Sequence, residues 1–173
     1  MVLAEAYMCS GNLSLTNIKC HIFDEKFVIF KECNNANGTL TVYAKLLQIP
    51  VTNCILRMEF NSMIASSIKF NTTWDACEFM RNRKRYRSLA LFYKLIADNS
   101  NFNHSCPFNH DIIIRDLRTD DLNFFLPMIS GSYKFNTVWI VNKNVRAKVG
   151  GIVQYVNNKK INEGVKNPKN KQQ

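Results

Sequence analysis

Apolar and polar residues alternate along several short segments, and this pattern constrains the fold more than any other feature of the sequence. Every second residue between Thr39 and Leu47 is apolar, as expected for a strand with one buried and one exposed face. Bulky side chains repeat the pattern between Tyr133 and Val141, and turn-forming residues follow at Asn142-Lys143-Asn144. Short strands at such spacing predict a mostly-β sandwich of about seven strands.

One stretch in the middle of the chain departs from the strand pattern. Its apolar residues recur at helical spacing and comprise Leu89, Phe92, Tyr93 and Ile96. This spacing predicts a helix over Ser88–Ala97. A short turn is predicted at Asp75–Met80, with Asp75 as its cap. We therefore expect one helical excursion between the middle strands.

Two local features make specific predictions about the strands. Asp24-Glu25-Lys26 separates the β-rich runs Leu15–Phe23 and Phe27–Cys33, which predicts a hairpin. Gly150-Gly151 interrupts the strand predicted between Val145 and Val156. Glycine within a strand often marks an extra, unpaired residue, so a β-bulge is predicted there.

The positive charge is concentrated in two places. The net charge is +10, and five of the cations lie within residues 81–87. Five lysines against Glu163 lie in the segment from Asn157 onward, which is rich in Lys, Asn and Gln and is predicted to be a disordered basic tail over 157–173. Nucleic-acid binders usually spread their cations over a folded face, so this distribution argues against nucleic acid. A solvated surface and an anionic partner such as a glycan both remain open for the 81–87 cluster.

The cysteines and the glycosylation motifs point to an oxidising compartment. Six cysteines are widely spaced, and none forms a CxxC pair, so a disulfide framework is favoured over a zinc or thioredoxin-like site. Six cysteines allow 15 connectivities. Four Asn-x-Ser/Thr motifs provide candidate glycosylation sites, at Asn12, Asn37, Asn71 and Asn103.

The start of the chain does not fit secretion as directly. Residues 1–14 carry no basic segment and only a short apolar run, interrupted by Glu5, which is not the pattern of a signal peptide. Either the start is truncated or mis-assigned, or the inference of secretion is wrong. The sequence has no run of 18 apolar residues, and we predict no membrane span.

Candidate catalytic and metal-binding residues are few. His104, Cys106 and His110 lie within seven residues, and Cys77 could join them, but the spacing matches no common zinc site. Disulfide use of Cys106 is the better interpretation, so no metal and no cofactor are predicted. The sequence has no phosphate-binding loop and no nucleophile motif. We predict that the protein is not an enzyme.

One motif nevertheless has a specific resemblance. Residues 99–111 read Asn-Ser-Asn-Phe-Asn-His-Ser-Cys-Pro-Phe-Asn-His-Asp, and three other segments match in order and spacing. These segments are residues 15–20, residues 71–79, and Leu126-Pro127 followed by Gly131-Ser132-Tyr133. Together they resemble a large insect family of secreted proteins of unknown function. That family is similar to the CheB chemosensory proteins and, more distantly, to the ML lipid-recognition domain and ganglioside-activator proteins.

The resemblance implies an immunoglobulin-like β-sandwich over residues 15–156 whose sheets part to admit a lipid. It also implies four shared cysteines, paired as Cys77 with Cys106 and Cys20 with Cys33. Cys9 and Cys54 are then left over, and Cys54 is expected to be a free thiol.

Three hypotheses for the function follow. The first is an extracellular binding protein for a hydrophobic small molecule or lipid, either a carrier or a chemosensory protein. Its candidate pocket residues are Phe60, Phe70, Phe92, Phe135 and Trp139. Each of these side chains could instead fill a core. The second is an interaction module that docks on a receptor or channel and has no ligand cavity. The third is a polyanion binder that uses the 81–87 cluster.

Overall fold

The computed structural model describes residues 10–120, 122–125 and 129–157. The strands are β1 (Ser10–Ile22), β2 (Val28–Ala36), β3 (Thr39–Leu46), β4 (Ile55–Ser62), β5 (Lys69–Asp75), β6 (Ile112–Arg118), β7 (Leu122–Phe125), β8 (Gly131–Val141) and β9 (Asn144–Asn157). The helices are α1 (Ala76–Arg81) and α2 (Arg87–Ile96), with 3-10 turns at Arg83–Arg85 and Ala97–Asn99. The predicted mostly-β fold with a helical excursion is confirmed.

The ends of the predicted domain are slightly different in the structure. Strand β1 begins at Ser10, inside the predicted N-terminal segment 1–14, and β9 ends at Asn157. The sandwich therefore begins before residue 15. The predicted tail beyond Asn157, together with Cys9 and the Leu126-Pro127 motif, lies outside the described residues.

The strands form two antiparallel sheets of unequal width. The wide sheet has the order β5-β4-β8-β9-β1-β7, and the narrow sheet has the order β2-β3-β6. The side chains predicted to face inward from β3 are buried, as Leu40, Val42, Ala44 and Leu46 are between 0% and 8% exposed. Leu40 and Val42 belong to the part of the core that contacts Leu15 and Ile18 of β1. Ala44 and Leu46 belong to the part around Phe27.

The helices share a face of the wide sheet with the narrow sheet. Phe60 of β4 lies directly opposite Phe135 of β8, so both rings point to the same side. On that side α1 and α2 contribute Phe79, Leu89 and Tyr93 to the hydrophobic core. The narrow sheet cannot cover all six strands, and the helical excursion completes the second layer over β4 and β8. None of the described helices is long and apolar enough to cross a membrane.

The predicted hairpin at Asp24-Glu25-Lys26 is wrong. Strand β1 pairs with β7 and β9 in the wide sheet, whereas β2 pairs with β3 in the narrow sheet. The connection is therefore an arch between the sheets. Arg146 fixes it through an ion pair with Asp24 and a guanidinium stacked 4.8 Å from the centre of the Phe27 ring.

The predicted bulge at Gly150-Gly151 is on the partner strand instead. The register between β1 and β9 shifts between Thr16 and Lys19, so the extra residue belongs to β1. At Gly151 an added Cβ would lie 2.7 Å from Ile18 Cδ1 and 2.9 Å from the Thr16 carbonyl oxygen. Glycine is thus needed because the bulged strand approaches β9 closely.

Other local predictions are confirmed. Asn142 and Lys143 have φ angles of 51° and 64°, as a tight turn between twisted strands requires. The Asp75 carboxylate accepts a 2.9 Å hydrogen bond from the Glu78 N–H and caps α1. Helix α2 lies within one residue of the predicted bounds.

Candidate binding site

Four of the five predicted pocket residues meet at one end of the sandwich, around Phe60. The Phe60 ring centre lies 5.6 Å from that of Phe92, 6.2 Å from that of Phe135 and 6.4 Å from that of Phe70. The first two pairs are stacked, with interplanar angles of 29° and 27°. We call these four rings the aromatic cluster.

The sheet register explains why three of these rings converge. Phe60 lies opposite Phe70 of β5 on one side and opposite Phe135 of β8 on the other. Directly opposed residues project from the same face, so the three rings form a row across β5, β4 and β8. Phe92 reaches the same row from α2 and forms the facing wall.

The fifth predicted residue, Trp139, does not join the cluster. It lies four residues beyond Phe135 on β8, which places it about 13 Å along the strand. Its ring contacts that of Phe30 edge-on at a centroid distance of 5.8 Å, within the core between the two sheets. Phe135 and Trp139 share a face of the strand, but they lie in different parts of the interior.

The cluster is open to solvent on its β5 side. Phe60 is 9% exposed, whereas Phe70 on the edge strand is 50% exposed. Near the Phe70 end of the wide sheet further apolar side chains are exposed, and these are Met63, Ile64, Ile68 and Ile129. We call these four residues, together with Phe70, the apolar rim.

Hydrogen bonds bring the loops of the apolar rim together. The Met63 N–H donates to the Ser132 carbonyl at 2.9 Å, and the Ser62 N–H donates to the Ile68 carbonyl at 2.9 Å. Ile64, which is 80% exposed, has its Cδ1 3.5 Å from the position that a Cβ on Gly131 would take. The sequence prediction missed this rim, whose residues Met63, Ile64 and Ile68 lie in the connection between β4 and β5.

Two surface depressions lie elsewhere. One, of about 570 Å³, is lined by Asn53, Ile55, Ile140, Asn142 and Lys143. The other, of about 220 Å³, lies near the start of β1 and includes Asn35 and Asp120. Neither is lined by any of the five predicted pocket residues. A ligand pocket at the aromatic cluster stays a prediction.

Both predicted disulfide bonds are present. Cys77–Cys106 joins α1 to the segment before β6, with its Cα atoms 5.1 Å apart. Cys20–Cys33 joins the wide sheet to the narrow sheet, with its Cα atoms 6.1 Å apart. The first bond therefore anchors the helical excursion, and the second ties the two layers together beside the arch.

Cys54 is a free, half-buried thiol, as expected. Burial, with a smaller contribution from the Asp75 carboxylate, raises the pKa of Cys54 to about 12. A thiol with such a pKa is protonated at neutral pH and is a poor nucleophile.

The basic cluster at residues 81–87 is exposed between α1 and α2. Its five cations are Arg81, Arg83, Lys84, Arg85 and Arg87. Arg83 stacks over the Tyr93 ring at 5.0 Å, and Arg85 lies 5.9 Å from the centre of the Tyr86 ring. Two guanidinium groups of the cluster thus lie over aromatic side chains of the helical layer.

Three of the four candidate glycosylation asparagines are exposed. Asn37 lies in the β2–β3 turn, Asn71 on the edge strand β5, and Asn103 in the loop before β6. Asn12 is half-buried in β1, which is paired on both sides at this residue. Glycosylation of these residues stays a prediction.

Two carboxylates, those of Asp111 and Asp120, have structural partners. Asp111 accepts hydrogen bonds of 2.9 Å from the Tyr43 hydroxyl and from the Leu46 N–H. This contact, followed by desolvation, raises the pKa of Tyr43. Asp120 pairs with Arg118 at 3.2 Å. Among the described residues, no three His, Cys, Asp or Glu side chains are placed to hold one metal ion.

A comparison with known families finds a match to one segment of the chain. Residues 56–135 match the family described as "Protein of unknown function (DUF1091)". The matched segment runs from β4 into β8 and contains the whole aromatic cluster, both helices and the Cys77–Cys106 disulfide. Cys20, Cys33 and Trp139 lie outside it. No curated protein matches the chain.

Proposed function

We propose that this protein is a secreted, non-enzymatic binding protein for a hydrophobic small molecule or lipid. The ligand enters between α2 and the β4–β5 edge, and its apolar part contacts the aromatic cluster. The observation that carries this proposal is the continuity of the apolar rim with that cluster. Phe70 belongs to both, since it is half-exposed and its ring centre lies 6.4 Å from that of the buried Phe60.

The energetics favour an apolar ligand at this edge. An aromatic side chain has about 150–250 Å² of surface to bury, so half-exposed Phe70 leaves about 100 Å² for a ligand to cover. At about 25 cal/mol per Å² this contact contributes about 2.5 kcal/mol. Four further apolar side chains surround the opening and add to the available area.

Helix α2 is suited to act as a movable wall. It faces Phe60 through the ring of Phe92, and the side chains of Leu89 and Tyr93 pack into the same core. A small shift of α2 would exchange side-chain contacts without breaking the hydrogen bonds between strands. The Cys77–Cys106 bond holds the segments on either side of the excursion during such a shift.

Secretion is supported by the two disulfide bonds, because such bonds form and persist in oxidising compartments. Three exposed candidate glycosylation asparagines agree with this location. The proposal also extends the resemblance to the CheB and ML proteins, in which a sandwich opens to admit an apolar ligand. A chemosensory role would follow if the hydrophobic ligand were an external chemical signal.

Displacement of a fluorescent fatty acid tests the proposal. Phe70→Ser removes about 2.5 kcal/mol of contact and should weaken binding about 60-fold. Phe23→Ser is the matched control, since Phe23 is 52% exposed and lies at the arch beside His21. It should leave the affinity unchanged. Equal effects of the two substitutions, or no binding by the wild type, would contradict the proposal.

A second candidate function uses the same surface. The stacked rings around Phe60 fill the space between α2 and the sheet, and the apolar rim would then dock on a receptor or channel. Mass spectrometry of solvent extracts from natively purified protein separates the two functions. A stoichiometric apolar molecule supports ligand carriage, whereas its absence together with no fatty-acid displacement supports docking.

A further inference from the structure

The loop before β6 brings two histidines together. The Nε2 atoms of His104 and His110 are 2.8 Å apart, and their ring centres are 5.0 Å apart with an interplanar angle of 71°. His104 is exposed and His110 is half-buried. The two reactive nitrogens therefore meet at one point that solvent can reach.

The other ring nitrogen of each histidine faces a backbone carbonyl. His104 Nδ1 lies 2.7 Å from the Ser105 oxygen, and His110 Nδ1 lies 2.7 Å from the Asp111 oxygen. A carbonyl oxygen only accepts, so these contacts assign the proton of each neutral ring to Nδ1. The Asn101 amide lies 3.2 Å from His110 Nδ1, but it donates to the Asp111 oxygen at 2.7 Å.

These partners determine what the Nε2 atoms can do. A neutral imidazole with a protonated Nδ1 has a lone pair on Nε2, so two neutral rings in this arrangement direct two lone pairs at each other. The contact is satisfied when one proton, or one cation, lies between them. A histidine that binds a metal through one nitrogen usually donates its other N–H to a carbonyl or carboxylate, and both rings meet this condition.

The loop holds the rings in place from several sides. Phe108 lies between the two histidines in sequence, is 2% exposed, and exchanges backbone hydrogen bonds of 2.8 and 2.9 Å with Val51. The Ser105 hydroxyl donates to the Cys77 carbonyl at 2.9 Å, next to the Cys77–Cys106 disulfide. These contacts hold the backbone of the loop that carries the two histidines.

We propose that His104 and His110 form a two-imidazole site for a divalent transition-metal ion such as Zn²⁺ or Cu²⁺. Imidazole nitrogen suits these ions, and Cu²⁺ binds such ligands more tightly than Zn²⁺ does. Two nitrogens at about 2.1 Å from a tetrahedral Zn²⁺ are about 3.4 Å apart. To admit the ion at the tetrahedral angle, the two nitrogens need to separate by about 0.6 Å and each ring needs to tilt by about 35° from the line that joins them.

The remaining coordination positions are open to water or to an exogenous ligand. Cys106 is in a disulfide bond, and both Asp111 carboxylate oxygens already accept hydrogen bonds from Tyr43 and Leu46. The ion would therefore be exchangeable and exposed, unlike a closed structural zinc.

Calorimetric titration of Zn²⁺ into the full chain tests this site. The titration uses a Cys9→Ser, Cys54→Ser background, which removes the two cysteines outside the observed disulfides as alternative metal ligands. We expect one ion per chain, bound with a 1:1 stoichiometry. Loss of an outer-shell partner alone costs about 10–100-fold in affinity, so His104→Gln and His110→Gln should each weaken binding at least about tenfold.

The third histidine provides the matched control. His21 is exposed and contacts the Phe23 ring at 4.5 Å, outside the His104–His110 loop, so His21→Gln should leave the affinity unchanged. Electron paramagnetic resonance with Cu²⁺ should show coupling to two nitrogens, reduced to one in either single variant. Circular dichroism confirms that each variant is folded. Absence of Zn²⁺ binding, or equal affinity in all variants, would overturn the proposal.

Discussion

Truncation of the central ring of the aromatic cluster provides a quantitative test of the packing. Phe60 is 9% exposed and has three aromatic neighbours. Phe→Ala substitutions in cores cost about 3–5 kcal/mol, and an aromatic pair adds about 0.5–1.5 kcal/mol beyond its buried area. We therefore expect Phe60→Ala to lower the free energy of unfolding by about 4 kcal/mol.

Phe70→Ala is the matched comparison within the same cluster. Phe70 is 50% exposed and has one ring contact in the cluster, with Phe60. Because Phe70 is about half as buried as Phe60 and has one aromatic pair, its truncation should lower the free energy of unfolding by about 1.5 kcal/mol. Truncation at Phe60 should therefore cost about 2.5 kcal/mol more than truncation at Phe70.

Urea unfolding with intact disulfides measures both values, provided that the transition is two-state and the slope is unchanged. In a thermal experiment, Phe60→Ala should lower the Tm by about 8–16 °C, because about 1 kcal/mol corresponds to about 2–4 °C for a domain of this size. Losses within about 1 kcal/mol of each other would refute the inference that Phe60 is the centre of the cluster and Phe70 its open margin.

Three further predictions concern residues of the fold outside the aromatic cluster. Gly151→Ala should lower the free energy of unfolding by about 2 kcal/mol, because its Cβ would lie 2.7 Å from Ile18 Cδ1; an unchanged urea midpoint would contradict this contact. Asp75→Ala removes the N-cap of α1 and should cost about 1 kcal/mol, measured in the same way. Cys54 should resist iodoacetamide between about pH 7 and 9 in a Cys9→Ser background, because its pKa is raised to about 12. Rapid alkylation of the folded protein, at the rate seen in urea, would argue against that burial.

The sequence was sufficient for features that depend on neighbouring residues. Alternation located β3 and β8 because the side-chain period of a strand is two residues. The tight turn at Asn142-Lys143 and the cap at Asp75 follow from side chains that stabilise those backbone conformations. Helix α2 was found because its apolar residues repeat at a helical interval over ten residues.

Features that depend on distant partners were not accessible in this way. The run before Asp24 and the run after it suggest a hairpin, but their strands pair with β9 and β3 instead. A short polar connection can form either a hairpin or an arch between sheets. Which of the two it forms depends on whether the flanking strands pair with each other or with other strands. The bulge was predicted at Gly150-Gly151 for the same reason. The extra residue lies near Ile18 on the neighbouring strand β1, and glycine at residue 151 makes room for it.

The aromatic cluster also combines features set by neighbouring residues with features set by distant partners. Phe60 and Phe70 could be recognised as inward-facing residues of strands, but their meeting with Phe92 depends on where α2 packs. Trp139 shares a strand face with Phe135, and sequence alone does not show that the covering layer changes from helix to sheet between them. The contact of His104 with His110 depends in turn on the folded loop.

Amide chemical-shift mapping tests the central claim most directly. Isotopically labelled protein would be titrated with a medium-chain fatty acid below its micelle concentration. We predict saturable shifts confined to residues 60–70, to α2 and to the start of β8, with none at the depression beside Asn53. Absence of saturable shifts, or shifts centred on that depression, would contradict the proposal that an apolar ligand binds at the aromatic cluster.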